Sequence, residues 1–235
     1  MGQARFIVIE GLDGAGTTTQ VELVQQLLAA DGIEAYKTRE PSQGALGAIA
    51  SLHVSGKLTL DERAMALTFS GDRLDHLAEE IEPQLTRGIW VLCDRYYLST
   101  MAYQGAKLAA PHATDPGAID WEAADRELAW VLELNRFARV PDLTVFLRVP
   151  PAVCAARSRR TRWHRERYDE GAMPHLADAF YDRAIGHLVR RGERVIELDG
   201  YDRTADDVAG EIRNLVLDLF GAPAPPKLRT VDETE

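Results

Sequence analysis

Lysine is scarce in this chain: of 27 basic side chains only Lys37, Lys57, Lys107 and Lys227 are lysine, and the rest are arginine. Cysteine is scarcer still, since Cys93 and Cys154 stand alone among apolar neighbours. Two such residues exclude a disulfide framework and a thiolate zinc site. The six histidines, at 53, 76, 112, 164, 175 and 187, show no metal-ligand spacing. No run of about 18 apolar residues occurs, and the N-terminus lacks a charged-then-apolar leader pattern. The chain is therefore expected to be soluble and cytoplasmic, with no membrane partner. Positive charge is also in deficit, the formal net charge being −10, which argues against a nucleic-acid partner held by a broad basic surface.

What is present is enough for one substantial core: 235 residues, 46% of them hydrophobic. Apolar runs at 5–10, 33–39, 89–94, 143–149 and 194–198 read as strands, with helical patterns between them. Alternation of this kind predicts an α/β fold: a five-stranded, mainly parallel sheet, helices on both faces, and ligands at the C-terminal strand ends. Residues 60–87 read as one long helix or two abutting ones. Asp120 is placed to cap the helix that follows a turn-rich stretch at 111–120. Residues 1–221 read as a single domain. The tail, 222–235, lacks apolar periodicity and reads as disordered.

The first strand runs into Gly11-Leu-Asp-Gly-Ala-Gly-Thr-Thr18, and Val21, Leu23, Val24, Leu27 and Leu28 then recur at helical spacing. Strand, glycine loop and helix are the context that the phosphate-binding pattern G-x-x-x-x-G-K-[ST] requires. Loop amides and the helix N-terminus surround a phosphate chain in such a loop. Gly11, Asp13, Gly14, Ala15, Gly16, Thr17, Thr18 and Thr19 are the candidate nucleotide contacts, with Thr18 where the Mg²⁺-binding hydroxyl belongs. Thr17 stands where the pattern has lysine and brings no positive charge.

Further motifs follow at strand ends. Asp94-Arg95-Tyr96 closes the third apolar run; a carboxylate there can hold a Mg²⁺ shell, and the arginine can clamp a phosphate. Taken alone, the pair would equally suit a helix cap. Ser99 with Tyr103, and Thr100 with Gln104, share helical faces at i,i+4. Thr38-Arg39-Glu40-Pro41 ends the second strand. On the long helix, Leu67, Leu74, Leu77, Ile81 and Leu85 form one apolar stripe, while Met65, Phe69, Arg73 and His76 lie on another face, outside that expected core. Phe69 and Arg73 leaving the stripe together suit base stacking and hydrogen bonding. Residues 157–167 carry six arginines and one acid, in keeping with a lid that closes over polyphosphate.

With these motifs in order, the chain resembles the thymidylate kinases, the P-loop NTPase-fold enzymes that convert dTMP to dTDP. The likeness rests on Phe6-Ile-Val-Ile-Glu-Gly-Leu-Asp-Gly-Ala-Gly, Thr38-Arg-Glu-Pro, Phe69…Asp72-Arg73…His76 and Asp94-Arg-Tyr…Ser99-Thr…Ala102-Tyr-Gln-Gly. It spans about residues 5–220. The resemblance implies ATP and Mg²⁺ as cofactors, dTMP and ATP as the small-molecule partners, and a homodimer. It also implies a contact of Asp13 with the acceptor's 3′-hydroxyl, with Arg39 and Arg95 around its phosphate and Glu40 ordering that region. Phe69 would stack on thymine, Arg73 would bind O4, and Thr100 and Gln104 would complete base recognition. Tyr103 would exclude a ribose 2′-hydroxyl, and Asp94 would act through Mg²⁺. Glu166-Arg-Tyr-Asp169 resembles the family's lid signature, so that a lid at about 157–170 would bring Arg160, Arg162 or Arg165 to ATP in place of the missing lysine. A nucleotide-binding regulator, or a kinase for another deoxynucleotide or deoxynucleoside, is the alternative left by Thr17.

Overall fold

A computed structural model of the protein describes residues 3–161 and 171–221, apart from the side chains of Arg160 and Thr161. The strands are β1 (Phe6–Gly11), β2 (Ala35–Arg39), β3 (Trp90–Asp94), β4 (Leu143–Arg148) and β5 (Val195–Asp199). They form one sheet in the order β2-β3-β1-β4-β5, all parallel. Helices α1 (Thr17–Ala30), α2 (Ala45–Val54), α3 (Glu62–His76), α4 (Glu82–Thr86), α5 (Tyr97–Ala109), α6 (Trp121–Leu134), α7 (Pro151–Thr161), α8 (Met173–Arg190) and α9 (Ala205–Phe220) connect or follow them.

Burial explains the strand sequences. β1 and β3 are buried at every position and read as continuous apolar runs, because helices cover both faces of a parallel sheet. The edge strands β2 and β5 are only partly covered and tolerate Lys37, Arg39, Glu197 and Asp199. From central β1 the chain turns first to β2 and β3, then crosses to β4 and β5 on the other side. The strand order thus reverses around β1, and a crevice opens at the C-terminal ends of β3, β1 and β4. Asp94 ends β3 and the glycine loop follows β1, so both face that crevice. Gly32 turns the chain just past α1 with φ +78°, and Asp120, as its position in the sequence suggested, accepts from the Glu122 and Ala123 amides to cap α6.

The long helical stretch departs from its expected orientation. Between α3 and α4 lies a π-helical turn, Leu77–Ile81, and its wider winding rotates later positions relative to α3. A single 100° wheel therefore cannot hold Leu67 and Leu74 on the same face as Leu77 and Ile81. Leu77 and Ile81 are buried, whereas Leu67 and Leu74 are 54% and 39% exposed. The buried side of α3 carries Met65, Ala66, Ser70, Asp72, Arg73 and His76 instead. Its polar members are paired: Asp72 accepts from the Ser42 amide at 2.9 Å and from the Ser42 hydroxyl, and Arg73 meets Glu40 at 2.6 Å. The inner face of α3 is thus built to hold the segment that follows β2, and Arg73 is a buried residue rather than one outside the core.

Candidate active site

The glycine loop is shaped by backbone constraints that side chains would break. Gly14 and Gly16 have φ of +91° and +102°, in the left-handed region. A Cβ on Gly14 would also lie 2.3 Å from the Cys154 carbonyl oxygen, so α7 packs directly on the loop. Helix α1 begins at Thr17 with no side-chain cap and no acidic residue in its first turn. Its first amides are therefore available for an anion at the helix N-terminus.

Beside the loop, the Thr18 hydroxyl donates to Asp94 Oδ2. Asp94 is 7% exposed, and its other oxygen, Oδ1, is buried without a hydrogen-bond partner. A hydroxyl and a half-satisfied carboxylate suit a small, hard divalent cation, which takes one or two carboxylates and completes its shell with phosphate and water. Among the described residues no group of three or more His, Cys, Asp or Glu side chains is arranged to hold a metal, here or elsewhere.

Arg95 is the centre of the site. It has φ +72°, uncommon for a residue with a side chain. Its Nη1 donates to Gly11 O at 2.8 Å, Ser99 Oγ at 3.1 Å and Tyr181 Oη at 3.2 Å, and its Nη2 to Asp13 Oδ1 at 2.6 Å. Behind it lies Glu10, fully buried at the end of β1. Glu10 accepts from the Tyr96 amide at 2.8 Å, the Ser99 amide at 3.1 Å, the Ser99 hydroxyl and the Tyr181 hydroxyl at 3.4 Å. Burial pushes the Glu10 carboxyl up to about 7, against the pull of Arg95, the Ser99 hydroxyl and the Tyr96 and Ser99 amides.

Two cavities meet here. The larger, of about 690 Å³, is lined by Asp13, Thr18, Arg39, Glu40, Phe69, Arg73, Asp94, Arg95, Thr100, Tyr103 and Gln104. Every acceptor-site residue expected from the sequence therefore borders one space. The second, of about 490 Å³, is lined by Gly14 to Gln20 together with Arg95, Arg157, Ser158, Arg203 and Thr204. Thr18 and Arg95 border both. Asp13 faces the larger cavity only, and Gly11 borders neither, its carbonyl being taken by Arg95. Arg162, Arg165 and the 166–169 signature lie outside the described residues, as does the side chain of Arg160.

Within the larger cavity, Tyr103 accepts from the Asp13 amide at 3.1 Å and sets its ring edge-on to Tyr181. Several residues in or behind the site carried no sequence signal. Tyr181 sits in the apolar pattern of α8, and Arg203 follows β5 outside any motif. Lys57 borders the larger cavity beside Ser51 and Ser55 at the end of α2; its rarity among basic residues is the one clue that could have found it.

The profile of the thymidylate kinase family matches residues 9–113. A probable thymidylate kinase of Staphylothermus marinus is 32% identical over 91% of this chain and 94% of its own length. The thymidylate kinase of Afipia carboxidovorans is 39% identical over 73% of this chain and 72% of its own length. Among solved structures, a thymidylate kinase from Candida albicans shares the fold with a TM-score of 0.74 at 22% identity, covering 95% of both chains.

Two expectations follow from the buried charges. Glu10 binds its proton more tightly in the folded protein, about 7 against an ordinary 4.5, so its ionisation favours unfolding. Its contribution is greatest below pH 4.5 and is lost as pH rises through 7. Relative to wild type, Glu10→Gln should gain stability between pH 5 and 8, at most roughly 3 kcal/mol. Urea unfolding curves across that range check it, and parallel pH profiles for the two proteins would refute it. Arg73→Ala should cost about 3–5 kcal/mol, because it leaves the buried Glu40 carboxylate without its cation. A loss below about 1 kcal/mol in the same assay would show that Glu40 does not depend on Arg73.

Proposed function

The chain belongs to the thymidylate kinase family and phosphorylates dTMP, and from that premise we propose that ATP is its phosphoryl donor and Mg²⁺ its metal. The observation that carries this reading is the junction of the two cavities, where Arg95 and Thr18 border both spaces. An acceptor phosphate in the larger cavity and a donor polyphosphate against the α1 N-terminus would meet at that junction. Phosphoryl transfer needs such alignment and charge stabilisation more than covalent chemistry.

In this reading the dTMP phosphate lies by Arg39 and Arg95. Asp13, oriented by Arg95, accepts from the sugar 3′-hydroxyl. Phe69 stacks on thymine, Arg73 donates to O4, and Thr100 and Gln104 complete the base edge. Thr18 and Asp94 would hold the metal, which when bound would supply positive charge to the transferring phosphoryl group. Arg95 then bridges donor and acceptor, drawing negative charge from both.

Residues 1–221 act as one kinase unit with a lid at about 157–170, and two copies pair. Leu46, Ile49 and Leu52 on α2 and Leu67 and Leu74 on α3 are exposed apolar residues on adjacent helices, and burial in a homodimer accounts for them. The protein works in the cytoplasm.

Thr17 gives the donor phosphates no fixed charge, and we assign that role to the lid, through Arg160, Arg162 or Arg165. A cation arriving on closure acts mainly on the transition state. Removing the responsible arginine should lower kcat by roughly 10³-fold with a smaller effect on ATP binding. Thr17→Lys should restore part of that loss and add less to the wild type. A coupled ATP/dTMP assay of the three arginine-to-alanine variants, alone and with Thr17→Lys, decides it; near-wild-type turnover in all three removes the assignment. A wild type that binds dTMP but does not turn it over supports the second reading, a nucleotide-binding regulator, which Thr17 alone favours.

Tyr103 supplies the sugar preference. Its ring walls the larger cavity one helical turn beyond Ser99, and a 2′-hydroxyl against that ring would lose its water. The protein should prefer dTMP over its ribose counterpart, and Tyr103→Ala should narrow the ratio of the two kcat/KM values. Equal use of both sugars by the wild type would refute this.

A further inference from the structure

Arg73 is restrained on more sides than a base-reading donor alone requires. Its Nη2 donates to Thr100 Oγ1 at 3.0 Å and lies 2.6 Å from Glu40 Oε2. The Tyr96 ring lies 4.9 Å from its Cζ. These three neighbours belong to the strand-end motifs. The fourth does not: Nη1 donates to the side-chain oxygen of Asn135, which follows α6 and is 6% exposed.

The orientation of Asn135 is set from outside the site. Its Nδ2 donates to the Val131 carbonyl at 2.8 Å, and its backbone amide donates to the Leu132 carbonyl at 3.0 Å, both in the last turn of α6. With the amide nitrogen committed to the helix, only the oxygen is left to face the guanidinium. The flipped amide would set donor against donor and leave Val131 facing an oxygen, so this network admits one orientation. Helix α6 packs on α5, which carries Thr100 and Gln104. The position of Asn135 is thereby coupled to the rest of the base-facing wall.

We infer that Asn135 is a positioning residue that fixes the plane of the Arg73 guanidinium and through it the choice of acceptor base. The inference rests on the reading above, in which Arg73 donates to the base carbonyl. Glu40 and Thr100 both meet Nη2, so without Asn135 the Nη1 side loses its side-chain acceptor. A planar fork owes its selectivity to orientation, and a small rotation would misplace its donors. A base with an amino group in place of the O4 carbonyl would then be rejected less strongly.

The competing role is purely structural, a side chain that finishes α6. Asn135→Ala removes both functions. Asn135→Asp keeps an acceptor oxygen for Arg73 but loses the donor to Val131. For both variants, dissociation constants of dTMP and dCMP, kcat and KM for dTMP, and the melting temperature would be measured. We expect Asn135→Ala to weaken dTMP binding roughly tenfold, on the scale of one hydrogen bond to a charged group. Its kcat should stay within about twofold, and its preference for dTMP over dCMP should fall by a similar tenfold. Asn135→Asp should keep most of the preference despite a lower melting temperature. If Asn135→Ala does not fold, Asn135→Ser is read by the same criteria. An unchanged preference in the alanine or serine variant, or an aspartate variant that loses as much preference as alanine, overturns the inference. A wild type that binds no dTMP overturns the base-site reading itself, an outcome distinct from either.

Discussion

The enclosed charge of Arg95 is the constraint on which the rest of the site depends. A guanidinium taken out of water must find acceptors for its donors, and a residue with a side chain adopts positive φ only where its surroundings hold it there. Here those surroundings come from four residues on three elements. Gly11 and Asp13 belong to the glycine loop, Ser99 to α5, and Tyr181 to α8, while Glu10 ties Ser99, Tyr96 and Tyr181 into one network beneath. The loop conformation, the packing of two helices and the junction of the cavities are therefore set by one side chain.

Charge balance explains why this network is acidic. Glu10, Asp13, Glu40 and Asp94 all lie in or beneath a site whose substrates are polyanions, a poor arrangement unless each is neutralised. Arg95 neutralises Asp13 and Arg73 neutralises Glu40. Burial keeps Glu10 partly protonated near neutral pH. Asp94 is left with a hydroxyl donor and one buried oxygen without a hydrogen bond, and a divalent cation is the group that would complete it. The two arginines are thus partly spent on carboxylates, and in the proposed reading further positive charge for the phosphates would come from a metal, from Arg39 or from elements beyond the loop.

Much of this was legible in the sequence because its signals are local. A buried parallel strand announces itself by an uninterrupted apolar run, and the glycine loop by spacing. The motifs at the ends of β2 and β3 converge because a parallel sheet places its C-terminal strand ends together. What was not legible depends on registry between distant elements. The π turn at Leu77–Ile81 shifts the helical phase without any residue marking it, so a single helical wheel puts the exposed Leu67 and Leu74 in the core and turns the buried Arg73 outward. Asn135 and Tyr181 gave no cue, since an asparagine after a helix looks like an ordinary terminus and a tyrosine in an apolar helix looks like packing. Their roles exist only through partners 62 and 86 residues away.

The same reasoning bears on Thr17. A loop lysine would touch the donor phosphates from the moment of binding and so would act on ground state and transition state alike. Here the nearby cations are already engaged: Arg95 on the loop and α5, and Arg203 on Glu211 and the Asp199 carbonyl. Helix α7 is different in position. It is pressed against Gly14 through the Cys154 carbonyl, and Arg157 and Ser158, one turn further on, border the smaller cavity. That contact places Arg157 and Ser158 at the phosphate end of the loop. Under the proposed lid assignment, positive charge from the segment that follows would act on closure, whereas a loop lysine would act from the moment of binding. On that assignment, replacing lysine by threonine would therefore do more than subtract a charge: it would move catalytic electrostatics from a fixed element to one that acts on closure.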